Sequence, residues 1–238
     1  MKTGNNKVAA LDKVLGICNV LGSNYNPSEA SLQPAALKAL LELAREKQEA
    51  VNVTRAAHLM ALNARKDGFV GIPTLAARVA RLVNVSKPKP SDREEVRLIK
   101  RRLYPVKSKK STDVNTTVTS EAQVSKATGG RPKRDKPYVL ETFKQLIQVV
   151  DRIPGYNPNE MEFKVAGLKS KQVELHACLD AVNVTSIAYQ EALIAYHELI
   201  YSPGGVNEST KLAMDYIRGK FGFTSIRTKK VTQQTSHV

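Results

Sequence analysis

Cations are the most concentrated chemistry in this chain. Lys100, Arg101 and Arg102 are followed by Lys107, Lys109 and Lys110, then by Arg131, Lys133 and Arg134, and near the carboxyl end by Arg227, Lys229 and Lys230. Each Lys or Arg that neutralises a phosphate releases condensed counterions, so such runs are the electrostatic footprint of contact with an anionic partner. Three roles stay open: solubility or contact with acidic surfaces of the protein's own kind, contact with a nucleic acid, and contact with an anionic membrane surface. Aromatic residues make up 5% of the chain and Trp is absent, so stacking platforms for single strands are not evident.

The remaining reactive groups do not converge. His58, His176, His197 and His237 fit no HExxH-type pattern, and each reads as a helix-surface or partly buried residue. Cys18 and Cys178 are too few for a disulfide framework, fall at non-equivalent places and sit in apolar helical patterns, which suits core packing. Gly204-Gly205 has no preceding strand and no following Lys-Ser/Thr, so it is not a phosphate loop. The expectation is a non-enzymatic protein without catalytic residues, metal or cofactor.

The elements that must position the cations come in two copies. A shift of 131 residues lays Tyr25-Asn26-Pro27 on Tyr156-Asn157-Pro158 and Ala50-Val51-Asn52-Val53-Thr54 on Ala181-Val182-Asn183-Val184-Thr185, with 18 identities over the 56 positions from Ala10 to Arg65. Periods of this kind mark an internal duplication. Each copy reads as three helices: about Lys7 to Leu21, Leu32 to Asp67 and Thr74 to Val83 in the first, with Phe163 to Leu199 and Glu208 to Phe221 as the later two of the second. Asn before Pro is pushed out of the α region, so Tyr-Asn-Pro is a turn. Pro34 is tolerated because it lies in a first helical turn, and Gly68, Gly71 and Pro73 are expected to stop the first long helix.

Within the long helices, Ala50, Thr54, Ala57, Ala61 and Ala64 match Ala181, Thr185, Ala188, Ala192 and Ala195 at a spacing of four and three, which predicts a heptad packing seam of small residues. Small residues allow a facing helix to approach to the short end of the usual range of about 8–10 Å. With the long helices antiparallel about a pseudo-twofold axis, Asn52 lies near Asn183. Two readings follow: a buried Asn pair that sets register, or Asn side chains in solvent with only the alanines packed.

The net charge of +15 is unevenly placed. Residues 1–84 carry 11 basic and 6 acidic side chains and residues 137–217 carry 6 and 10, whereas 85–136 carry 15 and 6 and the last 21 residues carry 5 basic and none acidic. This divides the chain into a helical repeat at 1–84, a basic linker at 85–136, a second repeat at 137–221 and a basic tail at 222–238. Within the linker, Ser91 to Leu103 reads as a capped helix ending before Pro105. The stretch after Lys110 is rich in Ser and Thr and poor in large apolar groups, and Thr116 to Val124 and Ser225 to Val231 alternate enough to add as strands to an edge elsewhere. Gly129-Gly130-Arg131-Pro132-Lys133-Arg134 resembles part of the minor-groove AT-hook core but lacks the Arg before the glycine.

The Tyr-Asn-Pro and Ala-Val-Asn-Val-Thr blocks, with Leu11-Asp12-Lys13-Val14-Leu15-Gly16-Ile17-Cys18, resemble tandem-repeat helical proteins of the Bacteroidota. The resemblance spans both helical repeats and little of the linker. It implies a bacterial source and carries no activity or site residues. The amino terminus lacks the apolar run and cleavage site of a secretory signal, and no stretch approaches the roughly 20 apolar residues of a membrane span, so a cytoplasmic location is the expectation. The whole reads as an all-α protein, an elongated antiparallel helical bundle built from duplicated short-long-short helix units. Its expected role is a self-associating scaffold, a homo-oligomer or polymer, whose basic linker and tail touch an anionic partner. A dedicated nucleic-acid-binding protein is the alternative.

Overall fold

A computed structural model describes residues 2–104 and 135–222. Among the described residues the fold is all-α, with no strands: α1 (Lys2–Leu21), α2 (Pro34–Val70), α3 (Ile72–Val85), α4 (Pro90–Leu103), α5 (Lys136–Asp151), α6 (Val165–Tyr201) and α7 (Val206–Phe221), plus three single-turn 3-10 segments. Helix starts follow local chemistry. Pro34 and Pro90 open α2 and α4, where the absent N–H costs nothing. The Asp135 carboxylate accepts from the Tyr138 N–H at 3.0 Å and caps α5. Gly222, at φ 75°, supplies the left-handed residue that ends α7. Contrary to expectation Gly68 does not stop α2, which runs through it to Val70, and α2 and α6 are both 37 residues long, about 55 Å each.

The compact units do not coincide with the sequence repeats. One unit is built from residues 2–60 and 183–222, the other from 61–104 and 135–182. The first therefore combines α1 and α2 as far as Met60 with α6 from Asn183 onward and α7. The second combines α5 and α6 as far as Val182 with the last turns of α2, from Ala61, and α3, and adds α4. The repeats at 1–84 and 137–221 are thus units of sequence, and each compact unit draws helices from both. The physical reason is that a long helix with a short helix at either end cannot cover its apolar side by folding back on itself, and the other repeat covers it.

Inside each unit the two long helices pack antiparallel. In the first, Leu37 and Leu41 near the start of α2 share a core with Tyr196 and Ile200 near the end of α6, and further along His58 Nδ1 lies 3.2 Å from the Thr185 hydroxyl. In the second, Phe69 shares a core with Leu168 and Leu175. The Tyr-Asn-Pro turns are built alike. Tyr25 donates its hydroxyl to the Leu32 carbonyl at 2.9 Å and Tyr156 to the Phe163 carbonyl at 2.8 Å, both buried, so each turn is tied to the residue just before its long helix. The third helix of the other repeat then clamps it. In the first unit Tyr216 of α7 donates to the Asn26 carbonyl at 2.7 Å and meets the Tyr25 ring edge-on. In the second, Arg78 of α3 pairs with Glu162 at 3.0 Å and lies over the Phe163 ring.

Candidate functional site

The cations expected to meet an anionic partner begin on α4. Its helix is amphipathic, with Val96, Ile99 and Leu103 buried in the core of the second unit among residues of α3 and α5. Docking by that face turns Arg93, Arg97 and Arg101 outward, with Lys100 half-buried beside them. Their spacing of four, three and one places all four on one flank of the helix. Arg97 is shared with Glu94 at 3.4 Å, an exposed pair worth little, while Arg93, Lys100 and Arg101 enter no ion pair among the described residues. Arg102 points to the other flank, where it lines a groove of about 220 Å³ with Gln145, Gln148 and the Glu95–Arg152 ion pair. Lys100, Arg101 and Arg102 also fall in the last turn, where cations oppose the partial negative charge of the helix end, so part of their role is to hold α4 helical. Sequence reasoning missed Arg93 and Arg97 because they are not in a run; the signal was their helical spacing to Lys100 and Arg101.

Lys107, Lys109, Lys110, Arg131, Lys133, Arg134, Arg227, Lys229 and Lys230 lie outside the described residues, as do the AT-hook-like hexapeptide and the two expected strand segments. Of the linker, the part before residue 104 belongs to the second unit rather than standing apart from it.

The expected small-residue seam is displaced. Ala50, Asn52, Ala57 and Ala64 on α2 and Ala181, Asn183 and Ala188 on α6 are exposed, and only Thr54, Ala61, Thr185, Ala192 and Ala195 are half-buried. The packed heptad passes one residue later, through Leu37, Leu41, Ala44, Val51 and His58 on α2 and through Leu168, Leu175, Val182, Tyr189 and Tyr196 on α6. Asn52 and Asn183 therefore face solvent, which overturns the buried-pair reading. The contact between α2 and α6 runs instead through the longer side chains of this later heptad.

Displacement of the seam leaves a second surface. In the first unit the outer side of α2 shows Leu43, Ala50, Val53, Ala57 and Met60 at heptad spacing, with Val53 58% and Met60 73% exposed. On the outer side of α6, Val184, Ile187, Ile194 and Tyr201 are between 51% and 66% exposed, with Glu191 and Glu198 among them. The outer side of α6 is thus a mixed stripe, four exposed apolar side chains interrupted by Glu191 and Glu198.

Burial sets the protonation chemistry of the few perturbed groups. It pushes the Tyr156 phenol up to about 12 and raises the Tyr25 phenol further, with Cys18 beside it adding to the effect. It likewise raises the Cys18 thiol and the Tyr196 phenol. All four are core groups. Among the described residues no group of three or more His, Cys, Asp or Glu stands together to hold a metal ion, and no described helix is long and apolar enough to cross a membrane.

No family model matches this chain, and no curated protein or solved structure is significantly similar to it.

Proposed function

We propose that the protein is a non-enzymatic scaffold that associates with copies of itself through the outer faces of its long helices and presents α4 and the basic segments to an anionic partner. The observation that carries this reading is the set of exposed apolar side chains on the outer side of α6. Val184, Ile187, Ile194 and Tyr201 leave more than half of their surface in water, and burying such a side chain fully is worth about 1.5–3 kcal/mol. A second copy suits the face because the outer stripe of α2 is apolar at the same heptad spacing. Sedimentation of the full chain after nuclease treatment tests this: oligomers are expected, with Ile187→Lys/Ile194→Lys shifting them to monomer. A nucleic-acid-free monomer at high micromolar concentration overturns it.

A second reading, a dedicated nucleic-acid binder, is favoured by the flank carrying Arg93, Arg97, Lys100 and Arg101. Four phosphate contacts predict a slope of log affinity against log salt of about −3.6 on duplex DNA. Replacing the four by Gln removes that slope if these side chains make the contacts. Oligomers that ignore salt and do not bind DNA or RNA favour the scaffold.

A further inference from the structure

The two units follow one plan apart from the added α4, which makes each a control for the other, and one further divergence opens space. In the first unit Leu40 of α2 and Leu199 of α6 pack against the core. The equivalent residues of the second unit are Lys171 and Gly68. Where two leucines fill space in one unit, a glycine and a lysine in the other border an open cleft of about 650 Å³, between the α2–α3 corner and the first turns of α6. That volume lies in the range of small-molecule sites.

Of the three glycines that border it, Gly167 is required by the Met161 carbonyl, but nothing in the backbone demands Gly68 or Gly71. Gly71 has φ −80° and ψ −11°, ordinary helical values, and a Cβ built there meets nothing within 4 Å. A Cβ on Gly68 would make ordinary contact with Leu175 Cδ2 at 3.5 Å and Cys178 Sγ at 3.8 Å. Gly68 lies inside α2, where glycine is destabilising relative to alanine, so this position gives up stability for room. The walls are amphiphilic. Exposed Val70 and half-buried Leu75 give an apolar side, over the buried Ile72. Across it, Arg78 is held by Glu162 at 3.0 Å and Lys171 by Glu174 at 2.6 Å, which leaves Asp67 with no ion pair among the described residues and the cleft one charge negative.

We infer that this cleft is a binding site for a small amphiphilic amine, its ammonium against Asp67 and its alkyl body along Val70 and Leu75. A second copy of the chain does not fit, because the site is a concavity with paired charges rather than an apolar face, so the inference is independent of the scaffold reading. Titration of the isotope-labelled full chain with n-hexylamine, and with 1-hexanol as the neutral isostere, followed by amide NMR, tests it. Saturable shifts at 67–78 and 162–174 are expected with the amine, and Asp67→Asn is expected to weaken amine binding by on the order of tenfold while leaving the alcohol unchanged. Gly68→Leu/Lys171→Leu, which restores the first unit's pair, abolishes the response at an unreduced Tm. If that variant fails to fold, Gly71→Leu blocks the cleft from a position whose side chain enters open space. Absence of saturable binding, equal binding of the alcohol, or binding that survives blocking in a folded variant overturns the inference.

Discussion

Tyr25 and Tyr156 are the residues in which repetition and chemistry coincide. Each donates a buried hydrogen bond across its turn, and removing such a donor also leaves a carbonyl unpaired. Tyr25→Phe and Tyr156→Phe are each expected to lower stability by about 1–2 kcal/mol in denaturant titrations at neutral pH. The same burial has a sign in alkali. An unfolded tyrosine ionises near pH 10, whereas Tyr156 in the fold holds its proton to about 12. The unfolded chain therefore releases protons first, and the stability these phenols contribute is complete below about pH 10 and falls as the pH climbs toward 12. The double Phe variant should begin less stable and lose less over that window, measured as Tm against pH. Cys18, buried and with its thiol pKa raised, should react with a thiol reagent more slowly than half-buried Cys178, a difference read by mass spectrometry of the labelled chain.

At the scale of elements, the helices differ in how firmly sequence commits each to its place. Helix α4 is held by three apolar side chains against a polar remainder, so Ile99→Ala is expected to cost about 2–4 kcal/mol and to speed amide exchange along α4 before the rest of the second unit. Helix α2 carries a glycine it does not need for its own geometry. Gly68→Ala should raise stability by about 1 kcal/mol, visible as a higher Tm. Gly167 is a contrast in α6: a Cβ there would collide with the Met161 carbonyl oxygen, so Gly167→Ala should destabilise despite the better helix propensity of alanine.

For the molecule as a whole, the exchange of helices between repeats decides what can fold. Residues 1–84 contain α1, α2 and α3, but the core around α1 also needs Tyr196, Ile200, Ala213 and Ile217 from the second repeat. That fragment alone should be unfolded at low concentration and should gain helix only by pairing, with itself or with the second repeat supplied in trans, as circular dichroism across a dilution series would show. A folded monomer of 1–84 would contradict the exchange. The charge map changes as well. Part of the basic linker is not an arm but a docked helix, so Arg93, Arg97, Lys100 and Arg101 are held on a fixed surface rather than on a tether.

Local rules acting on the sequence were enough for the helices, the Tyr-Asn-Pro turns, the duplication and the amphipathic α4, because helical spacing, proline and capping residues act within a few positions of themselves. They did not reveal which side of each long helix is packed. Identity between repeats picked out Ala50, Ala57 and Ala64, yet alanine is the best helix former in water as well as a close-packing residue, so its recurrence does not report burial. Packed positions are kept in both copies in places, as Leu37 with Leu168 and Val51 with Val182, and differ in others, as Ala44 with Leu175 or His58 with Tyr189, because a residue there must fit whatever faces it, so identity between the copies does not track burial. Tertiary structure alone decided which side is packed. It also decided the two units that cut across the repeats and the cleft that opens where a Gly and a Lys stand in place of two leucines, since burial depends on what the rest of the chain brings to each face.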